Sequence, residues 1–206
     1  MLIKTKAIVL TSIKYGEADL IVKCLTEEGV KSYLIRNIFR SRSKKLKIGY
    51  FQALSQLDIN AYHNKQGNLN KITEVRSSYH YQSLATNIYK QSIALFLAEV
   101  LAYALKEEEQ NQVQFTFIES SFQWLDQHDI FANFHLVFML QLTKYLGFYP
   151  DTTHIELPLF NLQEGHFEMK SSNKYTVSGE NLILLKKLLG TTFDTLPSIK
   201  INAKQR

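Results

Sequence analysis

Basic side chains are concentrated in one stretch of the sequence, from Lys31 to Lys47. Seven lysines and arginines lie there, and no aspartate or glutamate occurs from Gly29 to Leu57. They are Lys31, Arg36, Arg40, Arg42, Lys44, Lys45 and Lys47. An uncompensated run of cations attracts polyanions, and its side chains can pair with backbone phosphates. The stretch therefore predicts a nucleic-acid-binding surface, although a solvated loop that only keeps the protein soluble gives the same pattern.

Aromatic residues lie close in sequence to this basic stretch and could stack on nucleobases. They are Tyr15, Tyr33, Phe39, Tyr50 and Phe51. Proteins that hold single strands combine such rings with a basic groove. Some of these rings must fill a protein interior instead. Tyr33 shares a strand face with Lys31 by the two-residue period and is the predicted stacking residue, whereas Phe51 is predicted to lie in the core.

The residue types that carry out catalysis are present without the spacing that catalysis requires. Cys24 lies on the apolar face of a predicted strand with no histidine beside it, which predicts a buried structural thiol. The six histidines show no ligand spacing, and Asp126 and Asp129 have no second carboxylate pair near them in sequence. No glycine-rich phosphate loop precedes a predicted helix. We therefore predict no catalytic residue, no metal site and no cofactor.

Composition indicates a globular protein whose basic charge lies in its first part. The 206 residues are 45% hydrophobic, which is enough for a packed core. Residues 1–80 hold 14 lysines and arginines against 6 acids, whereas residues 81–206 hold 10 against 13. The single cysteine excludes an internal disulfide, and the N-terminus lacks the apolar core of a signal peptide. With no apolar run long enough to span a membrane, these features predict a cytoplasmic protein.

Five strands are predicted before residue 77, separated by turns. Apolar residues with a two-residue period place them at Lys4–Ile13, Ala18–Thr26, Val30–Phe39, Tyr50–Tyr62 and Leu69–Arg76. Glycine-containing turns separate the first from the second, the second from the third and the fourth from the fifth. Short antiparallel strands joined in this way predict a small barrel, and the OB-fold is the five-stranded barrel that binds oligonucleotides. The residues from Arg40 to Lys47 then form a loop between the third and fourth strands.

After residue 81 the apolar period becomes that of helices. A first helix is predicted over Leu84–Lys106, buried over most of its circumference, with an apolar stripe made of Tyr89, Ile93, Phe96, Val100 and Tyr103. Two helices follow around residues 115–125 and 134–145, and a last one runs from Ser178 to Leu189. A hairpin or loop is predicted at about residues 155–176. The predicted class is α+β, with an OB-fold domain at residues 1–80 and a helical domain at 81–206.

The N-terminal part contains a series of motifs in a specific order and spacing. They are Ala7-Ile8-Val9-Leu10, Tyr15-Gly16-Glu17-Ala18-Asp19-Leu20-Ile21-Val22, Leu25-Thr26-Glu27-Glu28-Gly29, Arg36, Arg40-Ser41-Arg42-Ser43-Lys44 and Leu57-Asp58-Ile59. This series resembles the RecO family of bacterial DNA repair proteins. The C-terminal part is similar to the family chiefly over residues 142–151, where a helix leads into Gly147-Phe148-Tyr149-Pro150.

The resemblance implies an OB-fold followed by a helical domain, in a recombination mediator rather than an enzyme. Members of the family bind single- and double-stranded DNA, anneal complementary strands, engage the acidic C-terminal tail of single-stranded DNA-binding protein, and work with RecR in loading RecA. A cytoplasmic, nucleoid-associated protein is expected. The resemblance assigns DNA binding to the residues that match the family's basic motif, namely Arg36, Arg40, Arg42 and Lys44. On charge alone, Lys31, Lys45 and Lys47 join them.

Two features depart from the family. Many members carry a four-cysteine zinc site after the Gly-x-x-Pro turn, whereas residues 151–174 contain no cysteine. A zinc-free hairpin packed by Phe160, Leu162 and Phe167 is predicted instead. The sequence also ends at Arg206, where members usually continue into a further helix, and this predicts a C-terminally shortened chain. A groove for the acidic tail should pair apolar residues with cations, for which the candidates are Lys144, Tyr145, Phe148, Lys186 and Lys187.

Three other functions remain open from the residues alone. An OB-fold RNA-binding protein, associated with the ribosome or with other RNA, would prefer structured RNA to DNA of equal length. A hydrolase or nuclease acting on nucleic acid would need clustered carboxylates and a divalent metal. A structural adaptor would ignore nucleic acid, and reversing the charge of Arg40, Arg42 and Lys44 would leave it unaffected.

Overall fold

The structure, a computed structural model, describes residues 1–40, 46–64, 69–105 and 110–201. Its first part is a sheet of five strands, β1 (Leu2–Tyr15), β2 (Asp19–Thr26), β3 (Gly29–Ile35), β4 (Gln56–Tyr62) and β5 (Lys71–Ser77). The strand order in the sheet is β3-β2-β1-β4-β5. A parallel bridge between Tyr33 and Asn70 joins the two edges, with the Leu34 N–H donating to the Asn70 carbonyl at 2.9 Å. The sheet thus closes into a barrel, which confirms the predicted OB-fold.

The first strand is the centre of the barrel because both of its faces are covered. Ala7, Ile8 and Val9 are 0% exposed. Ala7 and Val9 belong to the barrel core, and Ile8 lies on the opposite face by the two-residue period. β1 pairs with β4 through its first half and with β2 through its second half, with a register shift against β2 between Val9 and Thr11. Such a bulge bends a strand and increases its twist, as a small barrel requires.

The third strand is shorter than predicted. It ends at Ile35 rather than at Phe39. Asn37 takes a left-handed conformation, with φ of 56°, and its N–H donates to the Asp19 carboxylate at 2.7 Å. Asparagine tolerates this region of backbone space, so a single residue turns the chain out of the sheet.

The fourth strand begins at Gln56 rather than at Tyr50. The residues before it form a short 3-10 helix, Ile48–Phe51, and Leu54 follows with φ of 63°. This turn puts the ring of Phe51 into the barrel core, where it is 2% exposed, as predicted. Apolar residues occur both in strands and in buried turns, so the hydrophobic pattern alone could not distinguish this turn from the start of the strand.

Four α-helices and a three-stranded sheet complete the described chain. They are α1 (Ile88–Ala104), α2 (Gln112–Gln127), α3 (Phe134–Tyr145), β6 (Leu159–Asn161), β7 (His166–Glu168), β8 (Thr176–Val177) and α4 (Gly179–Leu189). The four predicted helices are present. The chain divides into two compact units, residues 1–127 and 128–206, so that α1 and α2 group with the barrel. The domain boundary near residue 80 stays a prediction. In the described ranges, no helix is both long enough and apolar enough to cross a membrane.

Helix α1 buries a different face from the one predicted. Its buried residues include Ala94, Leu97 and Leu101, whereas Tyr89 is 73% exposed and Tyr103 is 92% exposed. The prediction that α1 is buried over most of its circumference is therefore wrong. Small and aliphatic residues let the helix approach the barrel closely, and the larger aromatic side chains remain outside. The period of the apolar residues identifies a helix, but it does not say which apolar face packs.

The carboxylate of Asp126, near the end of α2, holds the segment by which the chain leaves the barrel. It accepts hydrogen bonds from the N–H groups of Gln82 at 3.1 Å and Leu84 at 2.7 Å, and from the hydroxyl of Tyr79 at 3.2 Å. Asp126 is only 5% exposed. A buried carboxylate is tolerated when its oxygens are satisfied in this way, so Asp126 has a structural role.

A buried lysine lies beside this carboxylate. Lys90 on α1 is 1% exposed, and its ammonium group donates to Ser83 Oγ at 2.6 Å and to the backbone carbonyl of Asp126 at 3.1 Å. The Ser83 hydroxyl in turn donates to that carbonyl. These contacts join α1, α2 and the segment between the barrel and α1 through buried and partly buried polar groups.

Two aromatic rings pack within the hairpin of β6 and β7. Strands β6 and β7 pair antiparallel, with Phe160 opposite Phe167. Their ring centroids are 4.9 Å apart in an edge-to-face arrangement, and both side chains belong to a core cluster with Leu182 and Leu189 of α4. The predicted packing roles of Phe160 and Phe167 are confirmed. Leu162 is 60% exposed, so its predicted packing role is wrong.

Candidate nucleic-acid interface

The described part of the basic stretch lies on the barrel surface. Lys31 is half-buried on β3, Arg36 is exposed just after β3, and Lys47 is exposed just before the 3-10 helix. Among the residues that the structure describes, none of these three forms a salt bridge. Arg36 and Lys47 are exposed, so an anion can reach them. The remaining predicted residues Arg42, Lys44 and Lys45 lie outside the described residues.

Arg40 differs from these three cations because it has an acidic partner. Its guanidinium group donates to the carboxylate of Glu17, in the turn between β1 and β2. The interpretation of the stretch as wholly uncompensated is therefore wrong for Arg40, since the fold brings in an acid from 23 residues away. Both side chains are largely exposed, so the pair contributes little to stability and can open when a phosphate approaches.

Tyr33 cannot stack on a base in this structure. The side chain is 0% exposed and belongs to the barrel core. The prediction of Tyr33 as the stacking residue is corrected here. Lys31 and Tyr33 share a strand face by the two-residue period, but Tyr33 is in the barrel core, whereas Lys31 is half-buried.

The hydroxyl of Tyr33 begins a chain of polar contacts at one end of the barrel. It lies 2.8 Å from Nε2 of His63, and Nδ1 of His63 lies 3.1 Å from a carboxylate oxygen of Glu28. One assignment satisfies both contacts: a neutral imidazole donates from Nδ1 to Glu28 and accepts at Nε2 from the Tyr33 O–H. Burial lowers the pKa of His63, and Lys31 lowers it further, against the opposing effect of Glu28. Burial likewise raises the pKa of Tyr33. Both directions agree with neutral rings.

Acidification should weaken the barrel through His63. The pKa of His63 is lower in the folded chain than in the unfolded chain, so the folded chain protonates the imidazole less readily. The neutral ring therefore contributes stability that is present above about pH 6.5 and is lost as the pH falls towards the lowered pKa. A proton on Nε2 would also deprive the buried Tyr33 hydroxyl of its acceptor. We expect the urea midpoint to fall more between about pH 7 and about pH 5 in the wild type than in a His63→Gln variant. Equal falls in both proteins would show that His63 is not responsible.

Two aromatic rings that the structure leaves exposed are better placed for stacking. Tyr15 at the end of β1 is 57% exposed, and Phe39 is 43% exposed. The ammonium group of Lys14 lies 5.5 Å from the centre of the Phe39 ring, and the backbone N–H of Phe39 donates to the carbonyl of Ala18 at 3.1 Å. Phe39 and the β1–β2 turn thus form one surface that combines aromatic rings with a cation. Sequence analysis missed Lys14, because it lies 17 residues before the basic stretch begins.

Two of the predicted partner-binding lysines cover aromatic rings in the unit of residues 128–206. The Lys144 ammonium lies 4.6 Å from the centre of the Tyr149 ring. That of Lys186 lies 5.4 Å from the Phe167 ring and donates to the Leu157 carbonyl at 2.7 Å. Tyr149 and Phe167 both pack in the core cluster of this unit, so the two cations flank the same cluster.

The other predicted partner-binding residues differ in exposure. Phe148 is 63% exposed, Lys187 on α4 is exposed, and Tyr145 on α3 is partly buried. Burial raises the pKa of Tyr145. Phe148 is therefore the apolar side chain of the predicted set that a partner could reach most easily. The binding role of all five residues stays a prediction.

The described residues form no cluster that could hold a metal ion, and the single cysteine is buried. Cys24 is 0% exposed, and burial raises the pKa of its thiol to about 12, so the nucleophilic thiolate is not formed near neutral pH. Within residues 1–40, 46–64, 69–105 and 110–201, no three histidine, cysteine, aspartate or glutamate side chains form a group that could hold a metal ion.

Comparison with known proteins covers both parts of the chain. The family described as "Recombination protein O N terminal" matches residues 1–81, and "Recombination protein O C terminal" matches residues 85–206. DNA repair protein RecO of Christiangramia forsetii is 47% identical over 207 residues, which cover 100% of this chain and 87% of that protein. RecO of Flavobacterium johnsoniae is 47% identical over 195 residues, 94% of this chain and 82% of the relative. RecO of Phocaeicola vulgatus is 40% identical over 153 residues, 74% of this chain and 64% of the relative. The chain therefore belongs to the RecO family of DNA repair and recombination proteins.

Proposed function

We propose that this protein binds single- and double-stranded DNA and anneals complementary strands without ATP. The observation that carries the proposal is the match to both RecO family models, which between them span residues 1–81 and 85–206. A closed OB barrel with exposed cations at its surface is the structure that this activity needs. The protein acts as a mediator that breaks no covalent bond.

Charge neutralisation explains how such a surface speeds annealing. Two single strands repel one another through their phosphates, and a protein that pairs cations with both backbones releases counterions and lowers this repulsion. Arg36 and Lys47 are exposed cations without a described acidic partner, and Arg40 becomes available when its pair with Glu17 opens. The exposed rings of Tyr15 and Phe39 supply faces on which unpaired bases can stack.

The same proposal includes the protein partners that the family resemblance implies. RecR, RecA and the acidic C-terminal tail of single-stranded DNA-binding protein would assemble with this chain on DNA in the cytoplasm, at the nucleoid. An acidic tail with an apolar end suits a surface of exposed cations and apolar side chains. Lys144, Lys187 and Phe148 supply those types in the unit of residues 128–206.

The test is annealing of two complementary labelled oligonucleotides without ATP or added metal. The wild type should accelerate annealing, and an Arg36→Glu, Arg40→Glu, Lys47→Glu variant should lose roughly tenfold or more of that acceleration at about 100 mM salt. All three side chains are exposed, so the fold should survive. A matched control reverses the same number of charges on exposed lysines elsewhere: Lys170→Glu, Lys174→Glu, Lys200→Glu.

The outcomes separate the functions that the sequence left open. Acceleration that survives in the control variant and disappears in the barrel variant supports annealing at the barrel surface. Tight binding to structured RNA, with no acceleration of DNA annealing, would favour the RNA-binding alternative instead. Degradation of either strand would indicate a nuclease.

A further inference from the structure

A cavity of about 440 Å³ opens on the barrel between the end of β3 and the start of β5. The bridge between Tyr33 and Asn70 joins these strands at one point, and the described residues show no further pairing between them. The strand pair is therefore open beyond the bridge. In OB-folds the face made by the second and third strands and the loop between the fourth and fifth strands binds oligonucleotides. This cavity adjoins that face, because Leu34 of β3 and Leu69 of the β4–β5 loop both line it.

The lining of the cavity combines aliphatic walls with two cations. The walls include Leu34, Leu46, Leu69 and Ile72. Arg36 and Lys71 also line it, both are exposed, and no acidic residue is among the described lining. The volume is in the range of small-molecule pockets. Aliphatic walls can cover the faces of an unstacked base, and flanking cations can pair with the phosphates on either side of it.

Asn70, the uncharged polar residue in the described lining, already uses its side-chain amide in hydrogen bonds within the protein. The amide of Asn70 donates from Nδ2 to the Ser32 carbonyl at 3.1 Å, and its Oδ1 accepts from the Asn64 N–H at 2.9 Å. Base identity is read by hydrogen bonds to base edges, which aliphatic side chains cannot make. The cavity therefore suits any base.

We propose that this cavity binds one unstacked nucleotide of a single strand, whatever its base, with the flanking phosphates on Arg36 and Lys71. The inference rests on the proposed DNA-binding function and names the form of DNA that this site selects. A base in a duplex is stacked and paired, and moving it out of the helix costs free energy. The cavity thus favours single strands over duplex, whereas phosphate contacts alone favour neither.

The experiment measures binding of an oligothymidine single strand that carries one 2-aminopurine, whose fluorescence rises when the base is unstacked. Leu69→Asp places a carboxylate in the cavity. Ile13→Asp is the matched control, because it makes a similar change of charge on β1 outside the cavity, at a residue that is 64% exposed. We expect Leu69→Asp to abolish the fluorescence rise and to weaken single-strand binding roughly tenfold relative to Ile13→Asp, with similar duplex affinity for both.

A second measurement needs no variant and stays informative if Leu69→Asp fails to fold. The wild type should bind an abasic strand of equal length roughly tenfold more weakly than the thymidine strand. Equal affinities would overturn the inference, as would equal single-strand binding by the two variants. A glutamate-rich peptide that contains one leucine serves as a competitor. If this peptide displaces the strand from the wild type but not from Leu69→Asp, the cavity binds a peptide, and the inference is overturned. If the wild type binds no DNA even at about 50 mM salt, the proposed function itself fails.

Discussion

Replacing Asp126 with alanine should lower the free energy of unfolding of the unit of residues 1–127 by about 3 to 5 kcal/mol, because each buried donor that loses its acceptor costs about 1 to 3 kcal/mol. The substitution leaves the N–H groups of Gln82 and Leu84 without their acceptor. Leu84 is 7% exposed, so water does not easily replace the carboxylate. It also removes the carboxylate oxygen that lies 3.4 Å from Ser83 Oγ, which accepts a hydrogen bond from the buried ammonium of Lys90.

The measurement is urea unfolding followed by the fluorescence of Trp124. This is the single tryptophan of the sequence and lies on α2, so its signal reports on the same unit. Asp129→Ala is the matched control, because Asp129 is exposed and close in sequence, and its loss should change the free energy by no more than about 0.5 kcal/mol. Asp126→Asn keeps one acceptor oxygen, so its loss of unfolding free energy should lie between those of Asp126→Ala and Asp129→Ala. If Asp126→Ala lowers the free energy of unfolding by less than about 1 kcal/mol, the hydrogen bonds of Asp126 do not contribute substantially to stability.

Affinity for single-stranded DNA should fall steeply with salt. For about five phosphate contacts, the slope of log affinity against log salt concentration is roughly −3.5, so affinity should fall roughly 100-fold between about 50 and about 200 mM salt. Replacing Arg36, Arg40 and Lys47 with glutamate removes up to three of these contacts. The slope should then be about −1.4, with a loss of roughly sevenfold over the same range.

Fluorescence anisotropy of a labelled strand across the salt series gives both slopes. The Lys170→Glu, Lys174→Glu, Lys200→Glu variant carries the same net charge and separates local contacts from the overall field of the protein. Its slope should match that of the wild type. If both triple variants reduce the slope equally, net charge and not the barrel surface governs binding, and the assignment of these three residues fails.

The order of strands and helices could be read from local patterns. Alternation of apolar residues identified the strands of the barrel, and three- and four-residue spacing identified the helices, because those periods follow from backbone geometry within a few residues. The boundaries of β3 and β4 could not be read in the same way. They depend on the conformations of Asn37 and Leu54, which close turns that the hydrophobic pattern does not mark.

The candidate site shows the limit of local patterns more clearly. The sequence by itself determined that a cluster of cations lies between the third and fourth strands of an OB barrel. Only the tertiary structure decided that Tyr33 is buried, that Arg40 pairs with Glu17, and that Asp126 holds a turn 42 residues away in sequence. Local composition sets what a segment can form. Burial and pairing are set by residues that are distant in the chain and meet only when the barrel closes.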